Sequence, residues 1–190
     1  DDLPRWARLG RAHWQNTGAR RPDFAVPPGP GQESVWDYPR PPALVADQRR
    51  VQIALNGTPI ADTQRAYRVL ETSHPPSFYL PRQDVDMSLL IDKGCRSRCE
   101  WKGEATHYDV RSADCLVSPA AWSYLDPFPE FADIAGHLAF YAGPFECSVG
   151  GQRVVAQAGG FYGGWNTPAR VGPLKGVTGT HGWLARPPPS

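Results

Sequence analysis

The residue types best suited to proton transfer lie together in one short segment. Glu71, Ser73 and His74 follow a β-favouring apolar run that ends at Leu70, and two prolines come next. Imidazole titrates near neutral pH, and a neighbouring carboxylate can orient it for general acid and base catalysis. Because proline restricts the backbone of the residue before it, His74 is expected to be extended and rigid. We therefore predict Glu71 and His74 as catalytic residues; the alternative is that both satisfy backbone groups of the turn.

Lys102 is a third catalytic candidate, and it lies between Trp101 and Gly103. If residues 99–111 form strands, the alternation of side chains places Lys102 and Tyr108 on one face. A lysine on an aromatic sheet surface could bind an anion or a carbonyl group, or titrate at lower pH if it is desolvated. The alternative is a surface lysine whose aliphatic part covers apolar neighbours.

Aromatic residues are numerous, with seven each of Trp, Tyr and Phe among 190 residues. Small-molecule sites commonly combine aromatic walls with a few polar groups. We therefore predict an aromatic-lined pocket around the catalytic candidates, and the alternative is an aromatic core without a pocket. The predicted binding residues are Tyr79, Trp101, Tyr108, Trp122 and Tyr124, and further candidates for the walls are Phe161, Tyr162 and Trp165.

Thiols and pairs of acidic residues are the other candidates for nucleophiles and metal ligands. The four cysteines are Cys95, Cys99, Cys115 and Cys147. Cys99 lies three positions before Lys102 and could act as a nucleophile, although a small buried hydrophobic residue is the more ordinary role. The spacing of Cys95 and Cys99 differs from that of zinc knuckles, and Asp84 and Asp86 lack a third acidic partner for Mg²⁺. We predict no metal and no cofactor.

Composition and charge exclude several classes of protein. A chain of 190 residues with 41% hydrophobic residues is long enough for one domain with a substantial core. The formal net charge of +1 gives no reason to expect nucleic acid as a partner, and no apolar run is long enough to cross a bilayer. We predict a cytoplasmic protein with a small-molecule ligand and without nucleic-acid or membrane partners. The oligomeric state is left open.

Turn residues and short β-favouring runs predict a mostly β fold. The chain contains 21 prolines and 19 glycines without a repeating period. Asn56-Gly57 separates two strand-like runs and is a strong hairpin signal, and Gly150-Gly151 predicts a second hairpin over 145–155. Short helices are predicted at 84–91 and 129–134, the former from acidic residues in its first turn.

The same patterns divide this single domain into three segments. Residues 1–50 are predicted to form an irregular, aromatic-rich strap that lies over the core. Residues 51–157 form the β core, and residues 158–190 form a cover rich in glycine and aromatic residues. Glycines beside large rings allow the backbone to pack closely against aromatic faces.

Several separated motifs between Glu33 and Trp183 together resemble those of a known family. They are Glu33–Pro41, Leu70–Pro76, Trp101–Gly103, Ala121–Tyr124 and Gly160–Trp165. These motifs resemble a bacterial and fungal family known as domain of unknown function 427, to which a nucleotidyltransferase-like label is sometimes attached. The resemblance implies a compact, β-tent-like sheet domain with one or two short helices, and it implies no particular activity. Relatives of the β-tent often bind zinc through paired Cys-x-x-Cys motifs, which this chain lacks.

Three functions fit these residues. The first is a small-molecule enzyme that uses Glu71 and His74 for proton transfer and Lys102 as an electrophile or anion partner, in a hydrolysis, elimination or isomerisation. The second is a non-catalytic small-molecule-binding module that uses the same pocket. The third is a structural or interaction domain whose aromatic residues all belong to the core. The first two require a cavity beside His74, and the third does not.

Overall fold

The computed structural model describes residues 3–14 and 16–176 of the chain. Strands predominate in these ranges, so the predicted mostly β class is confirmed. One α-helix, α1 (Arg5–Ala12), precedes them. The strands are β1 Glu33–Ser34, β2 Ala43–Asp47, β3 Val51–Leu55, β4 Thr58–Thr63, β5 Ala66–Leu70, β6 Ser77–Tyr79, β7 Leu90–Cys99, β8 Gly103–Arg111, β9 Leu116–Ser123, β10 Ala139–Phe140, β11 Glu146–Val149, β12 Gln152–Arg153, β13 Val155–Ala156, β14 Trp165–Asn166 and β15 Arg170–Val171.

These strands form several small sheets. Two sheets have four strands, in the orders β12-β11-β3-β4 and β10-β9-β8-β7, and one has three, in the order β2-β5-β6. The pairs β1-β15 and β13-β14 complete the set within the described ranges. All of these pairings are antiparallel except the parallel pair of β1 and β15. Residues 177–190 of the predicted C-terminal cover lie outside the described residues.

Both predicted hairpins are confirmed. Strands β3 and β4 pair across Asn56 and Gly57, whose φ angles of 49° and 78° lie in the left-handed region that this turn requires. Strands β11 and β12 pair across Gly150 and Gly151, which also have positive φ. Local turn chemistry therefore determined these two connections.

The predicted helix at 84–91 is wrong. Two short 3₁₀ turns, Arg82–Asp84 and Met87–Leu89, occupy the segment, and Leu90 already begins β7. The Asp86 carboxylate accepts hydrogen bonds from the Ser88 amide at 3.1 Å and from its hydroxyl at 2.6 Å. Such local bonding competes with helix formation. The second predicted helix is present as a 3₁₀ segment, Pro129–Ile134.

The sheet β10-β9-β8-β7 takes part in two hydrophobic clusters. The first cluster joins it to β3 and β4 and includes Ile53, Ile60 and Val110. The second joins it to β5 and β6 and contains the large rings of Tyr79 and Trp122. The register of β8 shifts relative to β9 between Tyr108 and Val110, and the register of β7 shifts relative to β8 between Asp92 and Arg96. Ala121 and Phe140 belong to the first cluster, whereas their sequence neighbours Trp122 and Ala139 belong to the second, so the two clusters lie on opposite faces of this sheet.

The N-terminal segment 1–50 is more regular than predicted, since it contains α1 and β2. An eight-residue helix is too short to be stable alone, so its formation depends on tertiary contacts. Arg11 supplies such contacts by donating to the Glu100 carbonyl at 2.7 Å and to the Glu130 carboxylate at 3.1 Å. Trp36 of this segment is fully buried, in a third hydrophobic cluster that also contains Val35 and Tyr38. Within the described ranges, no helix has the length and apolar character needed to cross a membrane.

We predict that Ile53→Ala lowers the free energy of unfolding by about 2–5 kcal/mol, because it removes a fully buried side chain and leaves a cavity. The matched control is Ile91→Ala, at a strand position with 39% exposure, where the expected loss is about 1 kcal/mol or less. Urea unfolding followed by circular dichroism measures both. Equal losses in the two variants would contradict the placement of the first cluster.

Candidate functional site

The turn after β5 carries two of the predicted catalytic residues and is held firmly. The His74 amide donates to the Glu71 carbonyl at 3.0 Å, which closes the turn. Ser73 is fully buried with a φ of 73°, a left-handed conformation that costs a non-glycine residue about 1–3 kcal/mol. Its amide donates to the Val35 carbonyl, and its carbonyl accepts from the Lys175 amide. Segments from both ends of the chain therefore stabilise a strained turn.

The His74 ring lines a cavity of about 410 Å³ in a defined orientation. Nδ1 lies 3.0 Å from the Thr72 carbonyl oxygen, and the edge of the Tyr162 ring lies against the imidazole. Because a carbonyl oxygen only accepts, Nδ1 must carry the proton, and Nε2 of the neutral ring is left with its lone pair. Burial lowers the pKa of His74 more than the nearby Glu71 carboxylate raises it. The ring is therefore a neutral base at physiological pH.

The Glu71 carboxylate also lines the cavity, but its hydrogen-bond partner is Arg40. The distance from Arg40 Nη2 to Glu71 Oε1 is 3.0 Å, and the guanidinium is almost fully buried. Burial raises the pKa of Glu71, but the electrostatic interactions with His74, Lys102 and Arg40 outweigh it, so the pKa is lowered. Glu71 is therefore ionised. Among the described residues, the side-chain hydrogen bonds join the Glu71 carboxylate to Arg40 and the His74 ring to Thr72, and do not join the carboxylate to the ring directly.

Lys102 lines the same cavity and is only 8% exposed. Its Nζ lies 5.7 Å from the centre of the Tyr124 ring and 5.8 Å from that of Phe131. Burial lowers the pKa of Lys102, but the surrounding acidic groups Cys99, Tyr124, Tyr79 and Glu71 raise it well above its ordinary value. An amine that stays protonated is an electrostatic partner and not a nucleophile. In the described part of the chain, this ammonium has no hydrogen bond and no ion pair.

Aromatic rings form the walls around these three groups. Four of the five predicted binding residues line the cavity: Tyr79, Trp101, Trp122 and Tyr124. Trp122 Nε1 donates to the Tyr79 hydroxyl at 3.2 Å, and burial raises the pKa of Tyr79 to about 12. Gly163 packs against the Trp122 ring so closely that a Cβ would overlap it. Glycine there allows the C-terminal segment to cover an aromatic wall.

Two aromatic residues lie elsewhere than predicted. Tyr108 belongs to the other hydrophobic cluster, and its hydroxyl accepts from Arg82 Nη2 at 3.2 Å. Lys102 lies in the turn before β8, where Gly103 has a φ of 101°, so the alternation that would pair it with Tyr108 begins after it. Trp165 is also in that cluster and donates to the Phe140 carbonyl at 2.9 Å. The other two wall candidates, Phe161 and Tyr162, do line the cavity.

Several lining residues were not predicted from the sequence as part of the site. Trp14 comes from the N-terminal segment, and Gln157 and Lys175 come from the other end of the chain. Gln157 is buried and donates to the Lys175 carbonyl at 2.7 Å. His107 lies on β8, and its Nε2 is 2.7 Å from the Ser97 hydroxyl. No local pattern marks these residues, because only long-range packing brings them to the cavity.

The structure also shows where the candidate metal ligands and thiols lie. Among residues 3–14 and 16–176, no group of three or more His, Cys, Asp or Glu side chains is arranged to hold a metal ion. Cys99 lines the cavity beside Lys102, whereas Cys147 is buried in the other cluster. Asp84 is bound to Thr63 and Arg65, and Asp86 caps the following turn.

Fold and site together define a mostly β domain with an aromatic-lined cavity that contains an imidazole, a carboxylate and an ammonium. The family model described as domain of unknown function (DUF427), with the label NTP_transf_9, matches residues 43–151, which is more than half of the chain. The chain belongs to this family. No match was found among curated proteins. The matched region includes Glu71, His74 and Lys102, whereas Trp14, Tyr162 and Lys175 complete the cavity from outside it.

We predict that Arg40→Met lowers the free energy of unfolding by about 3–5 kcal/mol, because it leaves the half-buried Glu71 carboxylate without its partner. The matched control is Arg21→Met, whose ion pair with Asp37 is exposed to solvent, so the expected loss of stability is much smaller than that of Arg40→Met. Urea unfolding at pH 7 measures both. A cost for Arg40→Met no larger than that for Arg21→Met would contradict the assigned role.

We also predict that His74 titrates below the ordinary histidine value of 6.5. Because its folded-state pKa is depressed, the stability that neutral His74 contributes is complete above pH 6.5 and is lost as the pH falls to the folded pKa. NMR titration of the histidine ring protons measures the midpoint, and the spectrum of His74→Gln assigns the signal. A midpoint at or above 6.5 would show that the ring is not desolvated.

Proposed function

We propose that this protein is a small-molecule enzyme that carries out proton transfer in the aromatic-lined cavity. The observation that carries the proposal is a neutral imidazole, held by a backbone carbonyl, on the wall of a cavity that also contains an unpaired ammonium. A general base near neutrality and a fixed positive charge are the two parts that such a reaction requires.

In this proposal His74 is the base. Its Nε2 lone pair accepts a proton from the substrate or from a water molecule, and the Thr72 carbonyl keeps the ring in the required tautomer. The imidazolium that forms is stabilised by the Glu71 carboxylate, whose charge acts on His74 without a direct hydrogen bond. The strained turn beneath it is consistent with a functional position, since strain tends to persist where the surroundings enforce it.

Lys102 has the complementary role. Its ammonium stabilises negative charge that develops on the substrate once the proton has left. The aromatic walls, which include Trp122 and Tyr124, exclude water and orient a planar substrate. Isomerisation and elimination follow from direct proton abstraction, and hydrolysis follows if His74 activates water. The proposal includes a cytoplasmic protein, as expected from the sequence.

One observation favours a second candidate, a non-catalytic binding module. The Glu71 carboxylate is already paired with Arg40, so its position is also explained by structure alone. In a binding module, His74 would accept a hydrogen bond from a ligand and would exchange no proton with it. The two functions are separated by turnover and not by binding.

We predict that a metabolite library contains compounds that raise the Tm of the wild type and are converted when incubated with it. For such a substrate, His74→Gln should lower kcat by about 10²–10⁴-fold, because glutamine keeps hydrogen-bonding capacity but cannot accept the proton. Thermal shift identifies the ligands, and mass spectrometry of the incubations measures turnover.

The matched control is His137→Gln, which changes a half-buried histidine outside the cavity lining and should leave kcat unchanged. Binding without conversion by the wild type would reject the enzyme in favour of the binding module. Equal turnover by wild type and His74→Gln would reject His74 as the base.

A further inference from the structure

The charged groups around the cavity differ in their partners. Two carboxylates line it, and each already has a partner: Glu71 accepts from Arg40 at 3.0 Å, and Glu100 accepts from Trp14 Nε1 at 2.7 Å. The Lys102 ammonium is as buried as either, yet the described residues offer it no acceptor within hydrogen-bond or ion-pair distance. Lys102 is therefore a cation of the cavity wall whose hydrogen-bond donors are not used by the described residues.

An unpaired buried cation is expensive for a fold. A desolvated ammonium loses its hydration, and aromatic rings at 5.7 and 5.8 Å return only a part of that loss. None of its three N–H donors has a protein acceptor among the described residues. Hydrogen-bond donors without a protein acceptor on a cavity wall point to an acceptor that arrives with a ligand.

The remaining walls indicate what accompanies the negative charge. Trp101, Trp122 and Tyr124 line the space around Lys102. The second lysine of the lining, Lys175, adds positive charge on the side of the C-terminal segment. Flat apolar surfaces beside a cation match a planar organic anion, whose ring contacts the aromatic walls while its carboxylate reaches the ammonium.

We propose that the ligand of this cavity is an aromatic or otherwise planar carboxylate, and that Lys102 binds its carboxylate group. The inference rests on the proposed function in taking the cavity as the ligand site, and it names the class of ligand. It requires no reaction. A carboxylate bound at Lys102 occupies the cavity that His74 also lines.

The test uses two pairs of probes that differ in charge and little in shape: benzoate with benzamide, and indole-3-acetate with indole-3-acetamide. Isothermal titration calorimetry on the full chain should show the carboxylate of at least one pair binding at least 10-fold more tightly than its amide. Lys102→Met should weaken carboxylate binding by about 10–100-fold, which is the range expected for one charge-assisted hydrogen bond.

The matched control is Lys93→Met, a lysine outside the cavity lining that pairs with Asp109, and it should bind carboxylates like the wild type. Lys102→Arg keeps the charge and should retain part of the affinity. Circular dichroism and the Tm of Lys102→Met establish that the variant is folded, so that a loss of binding is not a loss of fold. A crystal structure of the wild type with 4-bromobenzoate supplies a test without any variant, and the carboxylate should lie about 3 Å from Nζ.

Three results would overturn the inference: amides that bind as tightly as carboxylates, unchanged affinity in Lys102→Met, or no carboxylate binding to the wild type at 10 mM, about the weakest affinity the method resolves. A different result would reject the proposal that the protein is an enzyme. Carboxylate binding that depends on Lys102, without turnover of any ligand, would sustain the ligand class and reject catalysis.

Discussion

The buried guanidinium of Arg40 connects the N-terminal segment to the turn that carries the candidate site. It donates to the Asn16 carbonyl, to the Thr72 carbonyl and to the Glu71 carboxylate, and it stacks on the Trp14 ring at 4.2 Å. A planar cation with five donors cannot be buried unless acceptors surround it. This requirement places the backbone of the turn, the Glu71 side chain and one aromatic wall of the cavity in fixed positions relative to one another.

The same interaction sets the electrostatics of the cavity. Because Arg40 neutralises Glu71, that carboxylate is not available as the close partner of Lys102. The net charge of the chain is only +1, yet the cavity contains an ammonium without a protein acceptor in the described ranges. A small overall charge therefore coexists with a cation on the cavity wall, and the proposed class of ligand depends on this cation.

Local patterns were sufficient where the chain itself supplies the constraint. Asn56-Gly57 and Gly150-Gly151 determined their hairpins because a tight turn needs left-handed backbone at those residues. Local patterns were insufficient where long-range contacts decide. Helix α1 forms through contacts with Glu100 and Glu130, and the predicted helix at 84–91 is replaced by local bonding of Asp86 and by the pairing of β7 with β8.

Residue types and turn chemistry by themselves predicted Glu71, His74 and Lys102 as candidate site residues. The sequence shows an imidazole between a carboxylate and two prolines, and it shows a lysine next to aromatic residues. Only the tertiary structure decided that Glu71 pairs with Arg40, that Tyr108 faces the other cluster, and that Trp14 and Lys175 close the cavity. The reason is physical. Side-chain types depend on the sequence alone, whereas the partner and the burial that set a side chain's charge state depend on residues far away in the chain.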